Sequence, residues 1–221
     1  MSLLKNVKTR LSLTLLLIMA AAVAITACSS SGDNANGKET NPAFKSPNVF
    51  VPAAAPDFSL TDHMGRDVKL SGLRGKPVVL TFIYTNCTDV CPIITTKLNQ
   101  ALQLLGTDSS KVEIVAITVD PERDTPARAK EYSDQQGIGD RWHFITGDAT
   151  QLQPVWNAYG VYQQREKVLL EQQSTPHPDD DYAVEHSAPV YVIDKAGNNR
   201  LAFGGFEMTP EDLVHDLKLL Y

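Results

Sequence analysis

Residues 78–92 read VVLTFIYTNCTDVCP, and this stretch decides the predicted fold. Its first part, Val78 to Tyr84, is a nearly continuous apolar run, which is typical of a central strand covered on both faces of a sheet. Pro92 then opens a segment whose apolar residues recur at helical spacing as far as Leu105. Proline suits a first helical turn because its missing N–H would have no partner there. The sequence therefore predicts a buried strand, a cysteine-bearing loop and a long helix.

Strand and helix patterns alternate on both sides of this stretch. Apolar runs and alternating residues predict strands, and apolar residues at helical spacing behind Thr-Pro or similar starts predict helices. The predicted strands are 58–60, 68–70, 78–84, 112–119, 142–145, 190–194 and 201–206, and the predicted helices are 92–105, 125–136, 149–159 and one that starts at 209. This order predicts an α/β fold, a thioredoxin-like sandwich with an N-terminal hairpin.

A long polar stretch between Val161 and Glu185 interrupts the alternation. Loops of this length without secondary structure are uncommon inside compact domains. Val168–Leu170 and Tyr182–Val184 are predicted to pair as an extra hairpin, with residues 174–181 at its tip. The predicted fold thus carries an extra hairpin insertion before its last strands.

The composition and net charge of the chain exclude several classes of protein. The chain has 221 residues, with 20 Lys and Arg against 26 Asp and Glu, which gives a formal charge of −6. The chain has no basic stripe, so a nucleic-acid partner is not expected. Hydrophobic residues make up 43% and charged residues 21%, which excludes collagen-like, coiled-coil and wholly disordered proteins. Three cysteines are too few for a disulfide scaffold of this size.

The N-terminus has the pattern of a secretory signal. Three cations within residues 5–10 precede an uncharged, mostly apolar run that ends at Ala27. The sequence Ile25-Thr26-Ala27-Cys28 resembles a bacterial lipobox, a signal in which the cysteine receives a diacylglyceryl group and becomes the first residue. We predict that residues 1–27 are a lipoprotein signal peptide and that Cys28 is lipidated. The alternative is a retained membrane helix with an incidental cysteine.

Residues 28–55 are rich in Ser, Gly, Asn, Pro and Ala and show no periodicity. Such a segment cannot bury enough apolar surface to offset its ordering entropy. We predict that it is a flexible tether and that the folded domain spans residues 56–221. The domain is then expected to be extracytoplasmic and lipid-anchored to a bacterial membrane, where disulfides can form.

Cys87 and Cys91 are the two thiols that remain if Cys28 carries lipid. They stand four residues apart at the start of the predicted helix, where exposed N–H groups and the helix dipole favour a thiolate. Residues at this spacing share a helix face about 5–6 Å apart, which suits a redox-active disulfide or two thiolates on one soft metal ion. Dithiol oxidoreductases of the thioredoxin type have two residues between their cysteines, whereas this chain has three. The residues alone leave both the redox and the metal interpretation open.

Further motifs extend this pattern. The runs Thr85-Asn86-Cys87 to Cys91-Pro92, Val119-Asp120-Pro121-Glu122-Arg123-Asp124-Thr125 and His186-Ser187 occur in this order. Together they resemble the Sco/SenC family, membrane-tethered thioredoxin-fold proteins involved in copper delivery to cytochrome c oxidase. The resemblance covers the whole predicted domain. It implies that Cys87, Cys91 and His186 bind copper, as Cu(I) or Cu(II). It also implies that the partners are the copper-bearing oxidase subunit and other copper chaperones or thiol reductants.

The donor types agree with copper. Thiolates select monovalent copper, and imidazole suits the divalent ion, although two cysteines and one histidine also match some zinc sites. Asp120 and Asp124 have two interpretations. They could be a turn residue and a helix-cap residue. They could instead support the metal ligands or contact a partner, because Asp120 ends a strand near the cysteine loop.

These observations predict a membrane-tethered copper-binding assembly factor that delivers copper to, or prepares, the CuA site of cytochrome c oxidase, rather than an enzyme. One alternative is a thiol–disulfide oxidoreductase that reduces the cysteines of the oxidase copper site. Another is a copper or redox sensor. Turnover of a disulfide substrate without copper would favour the oxidoreductase, and stoichiometric copper retention would favour the assembly factor.

The anchor can be tested by Cys28→Ala. Because Cys28 is the predicted lipid acceptor, the variant is expected to fold but to lose lipid labelling and to leave the membrane fraction or remain unprocessed. Metabolic labelling with a radioactive fatty acid and membrane fractionation measure both effects. Unchanged labelling and membrane retention would contradict the lipobox interpretation.

Overall fold

A mixed sheet of nine strands forms the centre of the part of the chain that the computed structural model describes, residues 38–39, 43–167 and 182–221. The strands of this sheet are β1 (Lys38–Glu39), β2 (Asn48–Ala54), β3 (Ser59–Asp62), β4 (Asp67–Lys69), β5 (Val78–Ile83), β6 (Glu113–Thr118), β7 (His143–Thr146), β10 (Pro189–Ile193) and β11 (Asn198–Gly204). Their spatial order is β1-β2-β11-β10-β5-β6-β7-β3-β4. The thioredoxin-like α/β fold predicted from the sequence is confirmed.

The helices that accompany the sheet in the described ranges are α1 (Val90–Leu105), α2 (Pro126–Gln135), α3 (Ala149–Ala158) and α4 (Pro210–Lys218). Short 3₁₀ turns follow β4 at Leu70–Leu73 and α1 at Gly106–Lys111. The starts of the helices match the sequence signals. Thr125 and Thr209 cap α2 and α4 ahead of a proline, and Asp148 forms a capping box with Gln151 at α3.

Two parallel strand pairs position the functional loops. β5 pairs with β6, and β6 pairs with β7, all in parallel, with Ile83 opposite Thr118. Every residue of β5 is buried, as the continuous apolar run predicts. Because the carboxyl ends of parallel strands meet at one edge, the loop from β5 to α1 lies beside the loop from β6 to α2. The first loop carries the cysteines and the second carries the two predicted aspartates.

A separate two-stranded sheet confirms the extra hairpin. β8 (Gln163–Lys167) pairs antiparallel with β9 (Tyr182–His186), so that Gln163 is opposite His186 and Lys167 is opposite Tyr182. The second strand matches the prediction, whereas the first begins at Gln163, earlier than expected. The predicted segments Val168–Leu170 and 174–181 lie outside the described residues.

The folded domain begins earlier than the predicted boundary at residue 56. β2 lies within the expected tether, yet it pairs antiparallel with β11, with Val49 opposite Leu201. Only Val49 of its seven residues is buried, so β2 is held mainly through its backbone and shows no apolar periodicity in the sequence. The chain just before β2 is fixed by Asp216 of α4, whose buried carboxylate accepts the N–H of Lys45 at 2.7 Å and of Ser46 at 2.8 Å.

The predicted signal peptide, Cys28 and most of the predicted tether lie outside the described residues. Within the described ranges, none of the helices has the length and apolar character that a membrane span requires.

The attachment of the N-terminal segment can be tested by Asp216→Asn. The amide retains one acceptor and directs an NH₂ group at the second backbone N–H, so the free energy of unfolding is expected to fall by about 2 kcal/mol. Urea denaturation measures the change. Glu211→Gln makes the same chemical change on the exposed side of α4 and is expected to cost less than about 1 kcal/mol. Equal stability of the two variants would show that Asp216 does not hold the segment.

Candidate metal centre

Cys87 and Cys91 lie at the junction of the β5–α1 loop with α1. Both are free thiols, with 8% of Cys87 and 0% of Cys91 exposed. The side chain of Asp89, at the cap position, makes no capping hydrogen bond. Instead the N–H of Cys91 donates to the sulfur of Cys87 at 3.4 Å. The sulfur of Cys87 therefore takes the place of a capping oxygen at the start of the helix.

The two thiols differ in acidity. Hydrogen bonding from the Cys91 side chain, and then from His186 and the backbone N–H groups of Cys91 and Asp89, lowers the pKa of Cys87 to about 4 although burial opposes this. Burial, and next the neighbouring Cys87, raise the pKa of Cys91 well above its usual value. At neutral pH the pair is therefore one thiolate that accepts a hydrogen bond from one thiol. Such a pair loses only one further proton when both sulfurs ligate a metal ion.

His186, the last residue of β9, directs its ring toward the cysteines. Nδ1 lies 3.0 Å from the carbonyl oxygen of Ser187, and Nε2 lies 3.6 Å from Sγ of Cys91. A carbonyl oxygen can only accept, so Nδ1 donates to Ser187, and Nε2 is the ring nitrogen that faces the cysteine sulfurs. The ring also contacts Tyr84 edge-on, with centroids 5.6 Å apart. This orientation is the one that a metal ligand at Nε2 requires.

The distance between Cys91 and His186 fits two ligands of the same metal ion. A sulfur and an imidazole nitrogen bound to one ion at about 2.3 Å and about 2.0 Å, with a near-tetrahedral angle, lie about 3.5 Å apart. The observed separation between Cys91 and His186 is 3.6 Å. In the described part of the chain, no three His, Cys, Asp or Glu side chains already converge as a closed cage.

Asp124, in the loop from β6 to α2, binds the loop that carries Cys87. Its carboxylate accepts hydrogen bonds from the N–H of Thr85 at 3.1 Å, from the Thr85 hydroxyl at 2.5 Å and from the Thr118 hydroxyl. Burial raises the pKa of Asp124 to about 6, although these hydrogen bonds act in the opposite direction. Thr85 is two residues before Cys87, so Asp124 fixes the loop that presents the first cysteine.

Asp120 contacts the other half of the site. Its carboxylate has no exposed surface, pairs with the guanidinium of Arg123 and accepts the hydroxyl of Tyr182 at 2.7 Å. Tyr182 begins the strand that ends in His186. Asp120 is thus fully buried between Arg123 and Tyr182, and its predicted roles as a turn residue, as a support of the metal ligands or as a contact for a partner stay predictions.

The structure thus brings Cys91 and His186 together, with Cys87 just before the helix that contains Cys91. Asp124 contacts the cysteine loop, and Asp120 contacts the strand that carries His186. Other histidines lie elsewhere: Nδ1 of His143 is 2.8 Å from Asp62, and His215 lies beside Asp216. His177 is outside the described residues.

Sequence reasoning did not single out Thr85, Arg123 or Tyr182 as supporting residues. Thr85 and Arg123 stand inside the quoted motifs, and Tyr182 lies four residues before His186, on the same face of its strand. These signals in the sequence could have found them.

The family model described as SCO1/SenC matches residues 48–221. Among known proteins, the chain is 36% identical to the bovine mitochondrial protein SCO2 homolog over 143 residues, which are 64% of this chain and 50% of that protein. It is 27% identical to the SCO1 protein homolog of Bacillus subtilis over 164 residues, 73% of this chain and 79% of that protein. The match thus spans about half the length of the bovine relative.

Solved structures of Sco proteins are also similar to this chain. The chain is similar to Bradyrhizobium japonicum ScoI with copper bound, with a TM-score of 0.64 and 34% identity over 76% of this chain and 100% of that one. It is also similar to yeast Sco1 with copper bound, with a TM-score of 0.62 and 28% identity over 76% of this chain and 88% of that one.

The unequal acidity of the thiols can be tested by alkylation. In the reduced protein, iodoacetamide is expected to label Cys87 at a nearly constant rate between about pH 6 and about pH 8, because its thiolate is already fully formed. An ordinary thiol would react roughly tenfold faster for each pH unit in this range. Mass spectrometry locates the label, and the buried Cys91 serves as the internal control. Initial labelling of Cys91, or a rate that climbs with pH, would contradict the assignment.

Proposed function

The chain belongs to the SCO1/SenC family, and we propose that it binds copper at Cys87, Cys91 and His186 and supplies it to the CuA site of cytochrome c oxidase. Proteins of the Sco family are linked to copper assembly of this oxidase. The observation that carries the proposal for this chain is the position of Nε2 of His186, 3.6 Å from the sulfur of Cys91 at the start of α1, while Nδ1 is taken up by the carbonyl of Ser187. Copper is here the cargo of the protein.

The donor chemistry supports copper in both oxidation states. Two thiolates hold monovalent copper almost linearly, and divalent copper gains a further donor from a neutral imidazole. Only the reduced dithiol offers thiolates, so the oxidised protein is expected not to bind copper at this site. Copper-bound structures of relatives from Bradyrhizobium japonicum, Arabidopsis thaliana and yeast, 28–34% identical to this chain, agree with this proposal.

The accessible side of the site lies at His186. A groove beside this residue is lined by Val90, Ser187 and Phe206, and 66% of Phe206 is exposed. Cys91 has no exposed surface, so copper leaves on the His186 side. The copper-bearing subunit of the oxidase would bring its own ligands to this groove, with other copper chaperones or thiol reductants as earlier partners.

We further propose that a lipid on Cys28 tethers the domain outside the cytoplasm. The support is the cation-rich start, the apolar run and the Ile25-Thr26-Ala27-Cys28 sequence. A tethered domain remains close to a membrane-bound oxidase, which raises its effective concentration there.

The site also favours a second candidate, thiol–disulfide exchange with the cysteines of the target. A reactive, acidic Cys87 beside a buried Cys91 is the arrangement of a dithiol reductant. The role of His186 separates the two candidates, because disulfide exchange touches only the sulfurs whereas divalent copper also needs the imidazole.

His186→Ala is therefore expected to weaken binding of divalent copper by about 10- to 100-fold, with a shifted or bleached thiolate-to-copper charge-transfer band, and to change monovalent binding much less. Anaerobic titration with each ion against a competing chelator measures this. His215→Gln, on the exposed side of α4, is the control. Disulfide exchange with a model disulfide should continue in both variants.

Transfer to an apo-oxidase fragment then decides between the candidates. If the protein is a copper donor, His186→Ala should fail to metallate the fragment although its dithiol still cycles. Normal oxidase assembly in this variant would favour the reductase, and an unchanged divalent spectrum and affinity would remove His186 from the site.

A further inference from the structure

The strand that carries His186 is not part of the main sheet. In the described part of the chain, β9 pairs with β8 alone in a two-stranded sheet, and the main sheet resumes at Pro189 of β10, three residues after His186. The position of His186 relative to Cys91 therefore depends on the contacts of β9 with the domain on one side and on the start of β10 on the other.

One face of β9 makes these contacts. Tyr182, Val184 and His186 share this face because side chains alternate along a strand. The N–H of Val184, a buried residue, donates to the hydroxyl of Tyr84 at 3.4 Å, and Tyr84 in turn touches the ring of His186. Glu185, on the opposite face, is exposed. The strand thus meets the domain at its start, its middle and its end.

The contact at the start of the strand is the most extensive. The guanidinium carbon of Arg123 lies 3.7 Å from the centre of the Tyr182 ring, and its NH1 donates to the Tyr182 carbonyl at 2.9 Å. The Tyr182 hydroxyl donates to Asp120 at 2.7 Å, and Asp120 also pairs with Arg123. Both the ring and the backbone of Tyr182 are therefore tied to the loop that follows β6. Planar stacking and two directional hydrogen bonds fix orientation as well as distance.

We propose that Tyr182, clamped by Arg123 and Asp120, is a positioning residue that sets the distance of His186 from the cysteine sulfurs and thereby the preference of the site for divalent over monovalent copper. The inference rests on the proposed copper function. The reason is geometric: Tyr182 and His186 are the first and last residues of the five-residue strand β9, so a shift at the clamp is carried along the strand to the imidazole. The sulfurs stay in place, because the cysteine loop is held separately through Thr85 and Asp124.

Two substitutions at Tyr182 measure how much the clamp contributes to divalent copper affinity. Tyr182→Phe keeps the stacked ring and removes only the bond to Asp120, and Tyr182→Ala removes both. Divalent copper affinity is expected to fall only a few-fold in the first variant and by about 10- to 100-fold in the second, as is usual when groups that orient metal ligands are lost. Monovalent affinity and the alkylation rate of Cys87 should change less than about twofold in both, because neither sulfur moves.

Tyr159→Phe is the matched control. Its hydroxyl also donates to a partner in the domain, the carbonyl of Pro56 at 2.8 Å, and its ring packs against Phe82 and Tyr191 of the main sheet. Full-length protein is titrated with each copper ion under anaerobic conditions, and thermal unfolding checks that every variant is folded. Arg123→Lys keeps the charge without the planar stack, and it should resemble Tyr182→Ala if the clamp acts through stacking.

A metal-free measurement separates this proposal from the copper function. In the reduced apoprotein, the ring-proton NMR signals of His186 report its contact with Tyr84 and should shift in Tyr182→Ala but not in Tyr159→Phe. If wild-type protein fails to bind copper while these signals shift, the copper function is wrong and the clamp stands. If Tyr182→Ala is folded and keeps both the His186 signals and the divalent affinity of wild type, the clamp is overturned.

Discussion

Two buried carboxylates of one loop hold the two halves of the site against each other. Asp124 binds Thr85 beside the first cysteine, and Asp120 binds Tyr182 on the strand that ends in His186. Both carboxylates are available here because β5 and β6 are parallel, so that the loops after them emerge at the same edge of the sheet. The proposed copper donors come from chain segments almost a hundred residues apart in the sequence, and the loop after β6 contacts both segments.

The two carboxylates are buried in different ways. Asp120 has a cation, Arg123, as its partner, and removal of one member of such a buried pair is usually strongly destabilising. Asp124 has hydroxyl and amide donors, and its raised pKa reflects a carboxylate with too little solvation to ionise easily. The two cysteines also differ in charge. Cys87 is stabilised as a thiolate at the helix start, whereas burial keeps Cys91 neutral. The pair therefore carries a single thiolate charge, and the proposed binding of copper would add the second.

The sequence was informative where burial or local spacing creates a pattern. The apolar run of β5 and the helical spacing of α1 predicted the scaffold, and the resemblance of the cysteine and histidine motifs to the Sco/SenC family implied the donor set, which stays a prediction. β2 was missed because one residue of seven is buried, and the polar β8, with the sequence Gln-Gln-Arg-Glu-Lys, carries no apolar signal at all. The contacts of Asp124 with Thr85 and of Asp120 with Tyr182 join residues 39 and 62 positions apart. One sequence contains no periodicity that reports such distant pairs, so the sequence left the contacts and the roles of the two aspartates open.

The central claim is that Cys87, Cys91 and His186 converge on one copper ion. X-ray absorption spectroscopy of the reduced protein, loaded anaerobically with one equivalent of divalent copper, tests it directly before the dithiol is oxidised. The account predicts two sulfur scatterers at about 2.3 Å and the multiple-scattering pattern of one imidazole, with nitrogen at about 2.0 Å. A first shell of oxygen and nitrogen with fewer than two sulfurs, or with no imidazole, would contradict it.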